Sequence, residues 1–140
     1  MSYGEYRLRN IVIDSSALLA LIFMEEGVQE IVAGIADAEK VFISAVSYAE
    51  AGIVLDNRQY FGKKPGDLDE LIESFEGEII SMDKEQAREA RSAYQRFGKG
   101  KHRARLNMGD CFSYALARRM GVPLLYKGND FSQTDIVPAL

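Results

Sequence analysis

The stretch Ile11-Val12-Ile13-Asp14-Ser15-Ser16-Ala17-Leu18 decides how the rest of this chain is read. Its three β-branched residues form a short apolar run, which predicts a buried strand. Asp14-Ser15-Ser16 ends the run, and a serine there can cap a helix over Ala17 to Met24. The same alternation continues along the chain. Val28 to Ala36 reads as a helix and Val41-Phe42-Ile43 as a strand. Ser44 or Ser47 then opens a long helix towards Tyr60. Pro65 starts a helix over Asp67 to Phe75, and Glu78-Ile79-Ile80 is a third strand. Asp83 caps a charged helix reaching Phe97 and ended by Gly98. Asn107 caps another that runs to Met120 and ends at Gly121. Pro123-Leu124-Leu125-Tyr126 is a fourth strand, followed by a turn-rich tail. Short apolar strands separated by helices imply an α/β fold, a mainly parallel sheet covered on both faces. Ligands in such folds sit outside the carboxyl ends of the strands, here just after Ile13, Ile43, Ile80 and Tyr126.

The 140 residues are 47% hydrophobic and 27% charged, which is the make-up of one globular domain spanning 1–140. Disorder, collagen and coiled coil are excluded as global descriptions, and no repeat or linker divides the chain. The apolar stretch Ala17 to Met24 falls far short of the roughly 20 residues a membrane span needs. Arg7 and Arg9 precede an apolar run that Asp14 interrupts, unlike a signal peptide. The single Cys111 cannot form an internal disulfide, so a cytoplasmic location is expected. One Cys and one His, His102, also exclude a zinc site of the usual kind.

The net charge of −4 conceals an uneven distribution. No acid lies between Glu89 and Asp110, where Arg91, Arg96, Lys99, Lys101, Arg103 and Arg105 are found. The rest of the chain carries 11 bases against 21 acids. A concentrated basic segment on an acidic protein can follow a phosphate backbone; a solvated helix end and loop is the plainer explanation.

Four acids sit in company that solvated carboxylates avoid. Asp14 ends the first strand. Glu50 is the only charge from Val41 to Leu55, and its helical neighbours include Val46, Ser47, Ile53 and Val54. Asp110 lies in the first turn of a helix, and Asp130 follows the last strand. Keeping a carboxylate ionised in apolar surroundings costs several kcal/mol or so unless it is compensated. Clustered carboxylates also repel one another. A divalent cation resolves both problems, and hard oxygen ligands favour Mg²⁺ or Mn²⁺. Each acid also has a purely structural explanation. Asp14 could cap a helix, Glu50 could pair with an arginine, and Asp110 could complete a capping box with Asn107. Asp130 and Asp135 could be ordinary turn residues. Ser15 and Ser16 could hold a metal-bound water or a carboxylate, or cap the helix. Cys111 and Tyr114 read as core, and His102 has no partner that would make it a base.

In this order the residues resemble the PIN-domain ribonucleases, and more narrowly the toxins of VapBC-type toxin–antitoxin pairs. Ile11 to Leu18 is similar to the first motif of that family. Ile43-Ser44-Ala45-Val46-Ser47-Tyr48-Ala49-Glu50 resembles the second. Leu106 to Ala115, with Asp110, is the most specific match, and Pro123 to Phe131 is similar to the last. The likeness covers essentially the whole chain. It implies a PIN-like α/β/α sandwich and a metal-dependent endoribonuclease. Asp14, Glu50 and Asp110 would hold Mg²⁺ or Mn²⁺, and Asp130, with Asp135 as the other candidate, would be the fourth acid. Ser16 would belong to the same catalytic group. Arg96, Lys99, Lys101, Arg103 and Arg105 would bind RNA phosphates. The resemblance further implies a homodimer and a cognate VapB-type antitoxin; no membrane partner is expected, because the longest apolar stretch is too short to span one.

Two other classes compete. A catalytically inactive PIN-fold module would bind RNA or protein without cutting. A receiver-type signalling domain would also hold Mg²⁺ with acids, and Lys127 follows the last strand as its lysine would. That class needs an aspartate at the end of the central strand, where Ser44 and Ser81 stand instead. An RNase H-like or flap-type nuclease would share the metal chemistry on another topology.

Overall fold

Along the first strand, side chains alternate between two interiors. Ile11 and Ile13 point into one and Val12 into the other, all three fully buried. In the computed structural model, which describes residues 9–57 and 62–140, this strand is β1, Arg9–Ile13. It is followed by α1, Ser15–Ile22, α2, Val28–Ala36, and β2, Ala38–Ser44. Next come α3, Ala45–Asn57, α4, Gly66–Ser74, and β3, Glu78–Ile80. The chain closes with α5, Lys84–Phe97, α6, Met108–Met120, β4, Leu124–Leu125, and a short 3-10 helix, Asp130–Gln133. Helices α1 to α4 pack on the face of Ile11, Ile13, Val41 and Ile43. Helices α5 and α6 pack on that of Val12, Phe42 and Leu124. This is the α/β/α sandwich, and every strand pairing in it is parallel.

The strand order is β3-β2-β1-β4. The chain moves outward through β2 and β3 and then returns to the other side of β1. The order therefore reverses between β1 and β4, where open sheets of this kind leave a crevice at the strands' carboxyl ends. Two bonds tie that crevice together. The Asp14 N–H donates to the Leu125 carbonyl at 2.9 Å, and the Lys127 N–H donates to Ser16 Oγ at 3.0 Å.

Several boundaries differ from the sequence reading for identifiable reasons. Strand β2 starts at Ala38, because the polar residues before Val41 pair while staying accessible. Helix α1 stops at Ile22, and Met24 turns the chain with a φ of 52°. Asp14, rather than a serine, caps α1, accepting from the Ser16 N–H. Ser44 Oγ receives the Val46 N–H at the start of α3, so Ser44 and not Ser47 opens that helix. The expected continuation of α3 to Tyr60 lies outside the described residues. The tail is more than turns: the Leu124 N–H donates to the Val137 carbonyl and the Ala139 N–H to the Leu124 carbonyl, flanking β4 on its free edge. Helices α5 and α6 match the sequence reading. Gly98 at the end of α5 has an ordinary φ of −70°; glycine is required because a Cβ there would lie 2.3 Å from the Tyr94 carbonyl oxygen.

Candidate active site

The starts of α1, α6 and the 3-10 helix, with the middle of α3, bring the four singled-out acids to the crevice. Asp14 leaves β1 and caps α1, which fixes its Oδ2 on the Ser16 N–H at 3.0 Å. Its Oδ1 accepts from Ser113 Oγ at 2.5 Å. Ser113 Oγ is also 2.7 Å from Ser47 Oγ. A hydroxyl has one proton to give, so Ser47 donates to Ser113 and Ser113 to Asp14. Both serines are fully buried, and Asp14 is 1% exposed. This relay holds one aspartate rigidly without cancelling its charge.

Glu50 comes from the middle of α3 and accepts from Ser15 Oγ at 2.6 Å. Its carboxylate lies against Gly109 at the start of α6, where an added Cβ would fall 2.1 Å from Oε2. Only glycine permits that approach. The first turn of α6 also offers Glu50 the positive end of a 13-residue helix.

Asp110 closes a capping box. The Asn107 N–H donates to its Oδ2 at 3.0 Å, and its own N–H donates to Asn107 Oδ1 at 2.8 Å. The structural explanation of Asp110 is therefore correct as far as it goes. The box does not account for its electrostatics. The carboxyl is pushed up to about 7, first by burial and then by the negative charges of Asp14, Asp130 and Glu50, against the stabilising bond from Asn107. Asp110 thus feels the charge of each of the other three. Among the described residues, no ion pair reaches any of them.

Asp135, the other candidate for the fourth acid, lies elsewhere. It accepts from the Tyr114 hydroxyl at 2.5 Å and from Arg96 at 3.4 Å. These partners hold its carboxyl below the usual range, the tyrosine first. Asp130 is the tail acid whose charge reaches Asp110. Ser16 supports the site through its backbone and as an acceptor for Lys127, whereas Ser15 is the serine whose hydroxyl touches an acid. The Lys127 ammonium pairs with Glu25 at 2.8 Å instead of the acids, which removes the feature that suggested a receiver domain. Cys111 is buried, and its thiol is pushed up to about 11, chiefly by burial.

The basic segment divides. Lys99, Lys101, Arg103 and Arg105 line one cavity of about 510 Å³ with His102. Their loop is internally bonded: Lys99 N–H to the Leu106 carbonyl, Leu106 N–H to that of Phe97, and Ala104 N–H to His102 Nδ1. The His102 ring meets Phe97 edge-on at 5.1 Å. His102 therefore shapes the loop that displays the four cations. Arg96 points away from them, to Asp135 and the Tyr114 hydroxyl.

The sequence reading missed Ser113 and Ser47 as supports of Asp14. The signal was present: Ser113 is three residues after Asp110 and Ser47 three before Glu50, which puts each on its acid's helical face.

As the acids stand, no group of three among the described residues forms a ready cage for an ion. Mg²⁺ does not require one, because it keeps several waters and takes one or two carboxylates. Two buried acids, Asp14 and Asp110, beside the half-buried Glu50 and the exposed Asp130, with no counter-cation among the described residues, fit a hydrated divalent ion in charge and donor type.

Comparison with known proteins agrees with the geometry. The PIN domain family matches residues 11–137. A ribonuclease VapC of Mycolicibacterium smegmatis is 44% identical over 127 residues, covering 90% of this chain and 97% of that protein. Ribonuclease VapC28 of Mycobacterium tuberculosis is 44% identical over 131 residues, covering 93% and 98%. Among solved structures, the crystal structure of Mycobacterium tuberculosis VapC20, described as a sarcin–ricin loop cleaving toxin, superposes with a TM-score of 0.71 at 18% identity. It covers 91% of this chain and 96% of its own. DNA-bound VapBC from Salmonella typhimurium gives 0.64 at 16% identity, covering 94% and 96%. Those two likenesses concern the fold. The chain belongs to the PIN-domain family and, within it, to the VapC ribonucleases.

Proposed function

We propose that this chain is a metal-dependent endoribonuclease and the toxin half of a VapBC-type pair. The observation that carries the reading is the uncompensated group of Asp14, Glu50, Asp110 and Asp130 at the strand-order reversal, with Asp110 pushed up to about 7. Asp14, Glu50 and Asp110 would hold Mg²⁺ or Mn²⁺, and Asp130 would orient water or a second ion. The ion, when bound, supplies Lewis acidity and an activated water for phosphodiester hydrolysis.

The chain's own residues do the remaining work. Ser113, backed by Ser47, keeps Asp14 in one orientation, and Ser15 does the same for Glu50. Ser16 joins the start of α1 to the loop after β4, so that Asp130 is carried to the same crevice. Lys99, Lys101, Arg103 and Arg105 attract flanking phosphates, with an affinity that falls with salt. Arg96, held by Asp135, contributes less than those four. An acidic surface elsewhere confines RNA to this side. A basic side chain of a VapB-type antitoxin would suit the acid group electrostatically. The reading includes a homodimer acting in the cytoplasm, where RNA and antitoxin are both met.

The test is RNA cleavage by the purified chain with Mg²⁺ or Mn²⁺, beside EDTA and Asp110→Asn controls. Cutting that both controls abolish is expected. Cutting that survives either control would refute the acid group as the catalytic site.

A further inference from the structure

A large groove among the described residues lies not at the acids but beside them. It measures about 710 Å³ and runs between α5, the basic loop and the start of α6. That size lies in the range of small-molecule sites. Tyr94, Phe112 and Met108 give it apolar walls, and Arg91, Lys99 and Lys101 give it a cationic rim. No acid lines it. Tyr94 is 37% exposed and Met108 69%, a large apolar exposure beside so much charge.

Two continuities fix its place. Lys99 and Lys101 also line the cationic cavity of the loop, so the apolar groove opens directly onto the row of basic side chains. On its other side Met108 also borders a cavity that contains Glu50 and Gly109. Acids, apolar groove and cations thus follow one another along a single path. A nucleotide presents a flat apolar face beside a phosphate, and this groove presents the complement.

We propose that the groove is a base-stacking subsite, in which the Tyr94 ring takes an unpaired base of an RNA strand whose adjoining phosphates lie on Lys99 and Lys101. This rests on the ribonuclease reading above and adds to it a subsite beside the acids, with Tyr94 as its positioning residue. Tyr94 is the principal stacking surface. Its hydroxyl donates to the Lys99 carbonyl at 3.2 Å, which joins the ring to the loop that holds the phosphates. Base-paired RNA cannot use the groove, because its bases already stack within the helix.

The experiment measures binding of a labelled single-stranded octaribonucleotide by fluorescence anisotropy, in an Asp110→Asn background with Mg²⁺ to silence cutting. Cleavage of the same RNA is followed in the otherwise native chain. Tyr94→Ala is expected to weaken binding about tenfold, the usual scale for one base on one aromatic ring. Tyr94→Phe keeps the ring and loses only the bond to Lys99, so it should bind within about twofold of the parent. Replacing successive nucleotides by abasic ones should locate a position at which the Tyr94→Ala effect vanishes, and a duplex of the same sequence should show no effect.

Equal losses for Tyr94→Ala and Tyr94→Phe would assign the effect to the loop bond and overturn the proposal. So would an unchanged affinity in a folded Tyr94→Ala protein. If that variant instead loses affinity for a co-expressed antitoxin while RNA binding is untouched, the groove is a protein seat and the proposal fails. Metal-dependent cutting by the native chain that Tyr94→Ala leaves intact would sink the groove alone. Failure of the native chain to bind or cut any RNA would sink the ribonuclease reading with it.

Discussion

Helices α5 and α6 lie side by side, and each begins with a side-chain cap that receives the N–H three residues on. At the start of α5 it is Asp83, accepting from the Gln86 N–H at 2.8 Å. At the start of α6 it is Asn107, accepting from the Asp110 N–H. The caps are alike, but the carboxylate is the cap itself in α5 and the third residue of a capping box in α6, and the two carboxylates differ. Asp83 is exposed and receives Arg119 from the far end of α6 at 2.9 Å, and its carboxyl is held below the usual range, first by Gln86 and then by Arg119. Asp110 is 7% exposed, faces three other acids and is pushed up to about 7. A helix cap needs only what Asp83 has. Whatever Asp110 has beyond that opposes its own ionisation, and an arrangement that costs stability in the free protein points to a ligand.

The largest expected effect is therefore at Asp110. Asp110→Asn keeps an oxygen for the Asn107 N–H and removes the charge. Cleavage should fall on the order of 10³-fold or more, the equivalent of the several kcal/mol that metal stabilisation supplies. Stability should move the other way. An acid whose folded pKa is raised binds more protons folded than unfolded between about pH 4 and 7. Stability from this group is therefore lost as pH rises through that window and stays lost above it. Asp110→Asn should raise the melting temperature relative to the parent at pH 8 and much less at pH 4.5. Adding Mg²⁺ to the parent at pH 8 should close part of the gap. A variant that unfolds at every pH would make the acid structural and defeat the comparison.

Next in size is Gly109→Ala. The new methyl would overlap the Glu50 carboxylate and leave the backbone untouched. Because the obstructed atoms end a flexible side chain, Glu50 should swing away while the fold survives. A misplacement of that kind in a catalytic group costs about 100-fold. Unchanged cutting would show that Glu50 need not lie against α6. Ser113→Ala ranks third. It removes the donor to Asp14 Oδ1 and strands the Ser47 hydroxyl. Loss of such a supporting bond lowers metal affinity roughly 10–100-fold. A calorimetric Mg²⁺ titration should show the weakened binding, whereas a purely structural serine would change the melting temperature alone.

Much of this was legible in the sequence. Three-residue apolar runs bounded by caps and glycines marked the strands, and the rule about strand ends pointed to Asp14 and Asp130. What stayed hidden leaves no side-chain pattern. The tail flanks β4 through backbone groups of Val137 and Ala139, which any residues could supply. Asp110 read equally well as a capping-box acid, and only its three acidic neighbours separate the two roles. The placement of Arg96 was readable and went unread. Arg91, Tyr94 and Gln95 share a helical face by spacing and line the groove, while Arg96 falls off that face and lies against Tyr114 and Asp135.

The smallest effect belongs to the other helix start. Arg119→Ala removes the cation that distinguishes Asp83 from Asp110, but both partners are in water, where such pairs contribute little. Asp83 keeps the Gln86 N–H, the larger cause of its lowered carboxyl. The melting temperature at neutral pH should therefore drop by no more than about 2 °C. Lowered acids contribute stability above their unfolded pKa and lose it as pH falls, so the small difference should shrink further below pH 4. Cleavage should be unaffected, because no acid of the crevice touches Arg119. A large loss of activity here would mean that the cation at the far end of α6 is felt at its start. The charges of the two helix ends would then have to be treated as one system, and the contrast between Asp83 and Asp110 would no longer isolate the site.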